Sequence, residues 1–462
     1  MRGRSFLILL IAALGLGAYI YFVESKREPA GARVVDNEKM FTLEPGTIEE
    51  VTVQTAGGEV TTVRKSGDTW QIVVPATIEA STSAVSTLVA AIENLAIERV
   101  VDENPASMEP FGLETPRLTL AFKTAGDATE RRLLIGDRTP TGSDLYARVD
   151  GEPRLLLIAS YLEDSFDKST FDLRDKSVLK FQRDGIESIG IDRATGGRVG
   201  LARTGTNWRL TDPLDASADF STVDGLVSRL FQAEMRSIVS PDDTASTAEL
   251  TPAQLREFGL DPPAATVTLG SGSTRAVLAI GGTHDETSRY ARDLSRPLVF
   301  TIDSTIHDDL VKAPDDLRAK DVFAFRSFSA VGLDMTVDGT SATFAKAPPA
   351  AGAAAATTPA AAWKQTAPAE KDIDDATFTD LLTTLSNLRA ESFAARALVE
   401  GQTVEVTARS GDAASPTVER VTFRKSGDIV HAIRDGEPGA AVVTTADFDR
   451  VLTLFRDLTS GQ

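Results

Sequence analysis

The chain contains no cysteine, which excludes disulfides, thiolate zinc sites and cysteine nucleophiles together. Histidine is nearly as scarce: His284, His307 and His431 are the only three in 462 residues. His284-Asp285-Glu286 and His307-Asp308-Asp309 have the residue types of metal ligands. Neither stretch offers two helically spaced histidines with a carboxylate, so both read as solvated loop or helix-end residues. Basic residues are in deficit, 48 Lys and Arg against 67 Asp and Glu, for a formal charge of −19. That balance makes nucleic acid and anionic lipid surfaces poor partners and favours solubility.

The signatures of nucleophilic and nucleotide chemistry are missing as well. There is no Gly-x-Ser-x-Gly, no phosphate-binding glycine loop and no paired Rossmann glycines. Ser165 to Lys168 and Ser177 to Lys180 match Ser-x-x-Lys, but the companion Ser-Asp-Asn and Lys-Thr-Gly elements are absent, and the match is rejected. Asp315-Asp316 and Asp374-Asp375 read as helix caps, since carboxylates there satisfy free N–H groups and complement the helix dipole. The expectation is a non-enzymatic protein with no catalytic, cofactor-binding or metal-binding residues.

What is present begins with one uncharged run from Phe6 to Val23, preceded by Arg2 and Arg4. At ~1.5 Å per residue it spans ~27 Å, close to the ~30 Å of a bilayer core. The two arginines favour a cytoplasmic N-terminus, with the bulk of the chain outside the cytoplasm. A cleaved signal peptide is the rival reading, but the run ends in Tyr19-Ile20-Tyr21-Phe22-Val23, where cleavage wants small residues. No later stretch is long or apolar enough to be a second span.

Beyond this anchor, assigned to residues 1–28, the sequence repeats itself. Trp70, Trp208 and Trp363 each stand five residues before a proline, at Pro75, Pro213 and Pro368. Alternating Val51, Val53, Val60 and Thr62, the Ser66-Gly67-Asp68 turn, then Trp70, Ile72 and Val74 predict a hairpin. Ile189, Ile191, Val199, Leu201, a Gly205-centred turn and Trp208 predict the same hairpin again. A helix follows each proline: Val85, Leu88, Val89 and Ile92 correspond to Val223, Leu226, Val227 and Leu230, and again to Phe378, Leu381, Leu382 and Leu385. That i, i+3, i+4, i+7 spacing is one face of an amphipathic helix.

The first two copies share more. Phe111-Gly112-Leu113-Glu114-Thr115-Pro116 returns as Phe258-Gly259-Leu260-Asp261-Pro262-Pro263, Ile135-Gly136 as Ile280-Gly281, and Tyr146-Ala147-Arg148 as Tyr290-Ala291-Arg292. A third copy lacks these motifs. It puts His431 where the others have tyrosine, echoes Asp150-Gly151-Glu152-Pro153 as Asp435-Gly436-Glu437-Pro438, and carries an Ala/Pro-rich insertion at 348–362, read as a flexible loop tip.

The fold class expected is therefore α+β: one transmembrane helix followed by two to three modules of antiparallel strands, each a Trp-bearing hairpin plus helices. The modules are 29–181, 182–326 and a degenerate 327–462. The tryptophans are read as packing residues that close each hairpin onto its helix, the alternative being a stacking platform for a sugar. Phe-Gly-Leu is read as a structural corner, the alternative being a recognition loop.

The anchor, the Trp hairpin, Phe-Gly-Leu-Glu/Asp-x-Pro, Ile-Gly and Tyr-Ala-Arg together resemble the bacterial family catalogued as domain of unknown function 4340. The likeness is strong from about residue 47 to 325 and weaker beyond. The resemblance implies an inner-membrane-anchored, largely periplasmic protein, often encoded beside gliding-motility or auxiliary-type ABC transporters, and it carries no catalytic residues. The expected function is a non-enzymatic accessory or interaction protein of such a transporter, with a permease or auxiliary subunit as partner. The alternative is an envelope protein that binds or hydrolyses polysaccharide or peptidoglycan.

Overall fold

The computed structural model describes residues 38–240, 250–346, 362–395 and 401–460. The anchor at residues 1–28 and nearly all of the insertion at 348–362 lie outside the described residues, and among those described no helix is long and apolar enough to cross a membrane.

Three nine-stranded sheets follow one another along the chain, all with the same strand order. In the first module the strands are β1 (Ile48–Gln54), β2 (Val60–Ser66), β3 (Thr69–Val74), β4 (Ile78–Glu79), β5 (Arg99–Asp102), β6 (Leu118–Thr124), β7 (Asp127–Arg138), β8 (Asp144–Val149) and β9 (Leu155–Ala159). Their order across the sheet is β4-β3-β2-β1-β6-β7-β8-β9-β5, and every pairing is antiparallel. β1 to β4 pair with their chain neighbours, as do β6 to β9, and the two meanders join through the non-local pairing of β1 with β6. The ninth, β5, lies at the far edge because helix α1 (Thr82–Glu93) intervenes between β4 and β5. Both edge strands are short, which limits pairing with other chains.

The predicted helix face is the face that packs. Val85, Leu88, Val89 and Ile92 of α1 are buried, as are Val223, Leu226, Val227 and Leu230 of α2 (Phe220–Gln232) and Phe378, Leu381, Leu382 and Leu385 of α3 (Asp375–Ser386). Each helix starts at a matching capping residue. Ser81, Asp219 and Asp374 accept hydrogen bonds from the N–H groups of Ala84, Thr222 and Thr377, satisfying donors that the first turn leaves free. The third module ends in a longer helix, α4 (Thr445–Thr459), which buries Phe448, Val451, Leu452, Phe455 and Leu458 in the same core as α3.

The tryptophans stand at one repeated position, each cross-strand from a basic residue: Lys65 opposite Trp70, Arg203 opposite Trp208, Lys346 opposite Trp363. All three rings are buried, at 6%, 6% and 8% exposure. Trp363 packs on Phe378 of α3 with ring centroids 4.6 Å apart. The peptide bonds to Pro75, Pro213 and Pro368 are all cis.

A feature not read from the sequence is the lead-in segment of each module. Lys39 bridges Ala96, Ser177 bridges Glu234 and Asp321 bridges Arg389. The next residue then donates into the segment after the helix: Met40 to Leu95, Val178 to Ala233, Val322 to Leu388. The segments 177–181 and 321–325 thus hydrogen-bond into the module that follows them. The chain divides into two compact units, one ending at Lys176 with the first sheet and one beginning at Ser177 with the second and third.

Candidate functional site

The motifs that the first two modules share converge on one place in each. Residues 109–111 form a 3-10 turn ended by Gly112 at φ 67°, a left-handed conformation that glycine reaches without a Cβ clash. Gly259 matches it at φ 65°. The turn brings the Phe111 carbonyl onto Gly136 of Ile-Gly, so close that a Cβ there would stand 2.1 Å from the oxygen; the Phe258 carbonyl lies over Gly281 with a corresponding 2.3 Å. The Phe111 ring then meets Tyr146 of Tyr-Ala-Arg at 4.9 Å between centroids, and Phe258 meets Tyr290 at 5.0 Å. Phe111, Tyr146, Leu134, Met108, Leu113 and Leu155 form a satellite cluster apart from the main core of the first module. Three motifs scattered over the sequence are one apolar plug on the sheet face away from α1.

The third module replaces this plug. Its strands Gln402–Ser410, Thr417–Ser426 and Ile429–Arg434 are the counterparts of β6, β7 and β8. Phe423 opposite Ala432 corresponds to Ile135 opposite Ala147 and to Ile280 opposite Ala291. The next position along therefore equates Arg424 with Gly136 and Gly281, and its partner His431 with Tyr146 and Tyr290. An arginine at that position has no room beneath a Phe-Gly-Leu corner, and the corner is absent from the sequence there. His431 was placed by sequence reasoning. Arg424 was missed because its glycine counterparts become visible only through strand register.

A second candidate lies at the junction of the second and third modules, a cleft of about 40 Å³ bordered by Arg318, Phe393, Arg434 and Glu437. Arg318 is 6% exposed. Its guanidinium lies 3.7 Å from the Phe393 ring centroid, donates to the Pro438 carbonyl at 2.8 Å and faces Asp315 at 3.4 Å. Glu437 accepts from the Ser217 backbone N–H at 3.0 Å and from its hydroxyl at 2.6 Å, and pairs with Arg209 at 3.5 Å. Asp215, by hydrogen bonding, and then Glu437 hold the Arg209 guanidinium above its ordinary pKa, against the opposing effect of burial. These groups satisfy one another across the junction and form a clasp.

A third cavity, about 130 Å³, is lined by Arg183, Arg203, Trp208, Phe220 and Asp224. Arg183 is already engaged by Asp224 at 3.3 Å and by Ser228 at 2.8 Å.

The remaining residues singled out from sequence do not assemble. His284, exposed, has its Nδ1 2.9 Å from the hydroxyl of Tyr290 at the rim of the plug. His307 sits in the helix Ser304–Leu310 beside Asp308 at 3.5 Å. Ser165 belongs to the short helix Glu163–Phe166, whose Phe166 is core, and Ser177 bridges Glu234 in a lead-in segment. Asp374 caps α3, and Asp375 accepts from the Trp363 N–H at 3.0 Å. Asp316 accepts from the Ala313 N–H at the start of its 3-10 helix. Among the described residues no group of three or more His, Asp or Glu is placed to hold a metal ion.

Residues 70–207 and 208–410 each match the family model described as Domain of unknown function (DUF4340). The two matches begin at Trp70 and Trp208, the same position in successive modules. No curated protein and no solved structure matches the chain.

Proposed function

This chain belongs to the family described as Domain of unknown function (DUF4340), and from that premise we propose that it is a non-enzymatic, extracytoplasmic accessory protein of an ABC-type transporter complex. The observation that carries this reading is how the repeated residues are spent. Tryptophan goes into packing all three sheets, and Phe-Gly-Leu, Ile-Gly and the tyrosine of Tyr-Ala-Arg go into closing one face of the first two. Modules built this way offer successive like surfaces to a partner, as repeat proteins do. The apolar run from Phe6 to Val23 serves as a single-pass anchor in the bacterial inner membrane, N-terminus inside. ATP hydrolysis and translocation belong to other chains.

Burial of Trp70, Trp208 and Trp363 removes the aromatic platforms on which a polysaccharide-binding reading would rest. In-cell crosslinking of the full-length protein, followed by mild-detergent purification and mass spectrometry, tests the proposal. Recovery of a permease or auxiliary subunit crosslinked through a module face is the expected result. Recovery of glycan, or of the free monomer alone, overturns it.

A further inference from the structure

Among the described residues, the face of the third module that corresponds to the plug carries two side-chain nitrogens without a hydrogen-bond partner. Arg424 and His431 are direct cross-strand partners on adjacent strands, so their side chains rise from the same face within reach of one another. Arg424 Nε and His431 Nδ1 are both buried and make no hydrogen bond among the described residues. Buried polar atoms are almost always paired, and a pair of orphans at one place calls for a missing acceptor. Both side chains are half-buried, which leaves the group open to a small ligand.

The neighbours on that face fit an anion. Thr403 lies opposite Arg424 on the other side, and Thr422 stands two residues before it on the same strand. Val442 lies opposite His431 on the strand beyond. Arg420 and Glu405 share the face farther along, and neither they nor any other charged residue forms an ion pair with Arg424 among the described residues. In the first and second modules the same two positions are glycine and tyrosine, sealed by phenylalanine. An apolar closure has been exchanged for a guanidinium fork, an imidazole and two hydroxyls.

We propose that Arg424 and His431 form a phosphate-binding site on the exposed sheet face of the third module. Guanidinium presents parallel N–H groups that match an oxyanion, and charge-assisted hydrogen bonds of this kind are the strong ones. The donors outnumber the two oxygens of a carboxylate and suit the several oxygens of a phosphate group. That group belongs either to a soluble phosphate compound or to a lipid headgroup. The site does not depend on the transporter reading, since it rests on the third module alone.

The test uses the full chain, labelled at histidine ring carbons, titrated with inorganic phosphate at constant ionic strength. The three histidines give three resonances. His431 is expected to move saturably while His284 and His307 stay in place and report an intact fold. Arg424→Gln is expected to weaken the response roughly tenfold, and His431→Tyr, which restores the residue of the other modules, to lower the phosphate affinity measured by calorimetry. A parallel titration with phosphatidylglycerol vesicles against phosphatidylcholine vesicles separates the sources. Movement with free phosphate assigns a soluble ligand, and movement with anionic vesicles alone assigns a headgroup. No saturable movement with either, or an equal response to chloride, overturns the site.

Discussion

The carbonyl oxygen of Phe111 occupies the space that a side chain at Gly136 would need: a Cβ built there stands 2.1 Å from it. Two motifs separated by more than twenty residues are thereby a single joint, and neither holds this geometry without the other.

That contact predicts a sharp contrast among glycines. Gly136→Ala and Gly281→Ala should each destabilise by about 1–3 kcal/mol, because the clashing atom is backbone and must carry its loop with it. Gly57→Ala should be nearly silent, its Cβ finding only the Thr55 hydroxyl at 3.8 Å. Denaturant unfolding of the three variants measures this, and equal effects would contradict the joint.

Trp363 and Lys346 divide the work of the hairpin unequally. The Trp363 ring is buried against Phe378, whereas the Lys346 ammonium lies over it at 5.3 Å on the exposed side. Trp363→Ala should cost about 3–5 kcal/mol through the cavity it leaves. Lys346→Met should cost about 0.5 kcal/mol, the scale of an exposed cation–π contact. Thermal unfolding followed by tryptophan-independent far-UV signals gives both.

Arg318 and Glu437 should hold the second and third modules in one cooperative unit. Arg318→Ala removes the donor to Pro438 and the contact with Phe393, and Glu437→Gln removes the charge facing Arg209. Each should cost about 1.5–3 kcal/mol, the usual range for hydrogen bonds to charged groups. Scanning calorimetry should show the shared transition broaden or split, while a variant that lowers the midpoint without broadening would deny the clasp its coupling role.

Glu50 provides a pH-dependent contribution in the first module. Lys123 and Arg64, on the two flanking strands, each reach its carboxylate at 2.7 Å. The hydrogen bond from Lys123 is the largest cause holding the Glu50 pKa below its ordinary value, partial burial opposes it, and Arg64 lowers it further. A depressed folded-state pKa binds protons less readily than the unfolded chain does. The stabilisation is therefore fully present above the ordinary carboxylate range and lost as pH falls through the depressed value. Lys123→Met should raise the Glu50 pKa measured by carboxyl-carbon titration and flatten the acid limb of stability.

Periodicity made much of this architecture legible. The helix residues Val85, Val223 and Phe378, with their i+3, i+4 and i+7 companions, are buried because a 3.6-residue repeat dictates which side of a helix is apolar. The Gly67 and Gly205 hairpins follow from turn chemistry, and the flanking strands of the third hairpin meet at Lys346 and Trp363 on either side of the Ala/Pro-rich insertion. All of these are local, encoded within a dozen residues or so.

The sequence by itself determined that the chain repeats, where the Trp hairpins and the helix after each of them lie, and that cysteine chemistry is excluded. Only the tertiary structure decided that the repeats are nine-stranded sheets, that the lead-in segments join the following module, and that Phe-Gly-Leu, Ile-Gly and Tyr-Ala-Arg are one plug. It also decided that Arg424 stands in the place of Gly136. The physical reason is that strand order, register and close backbone approach are set by contacts between distant segments. No spacing along the chain expresses them until the sheet has formed.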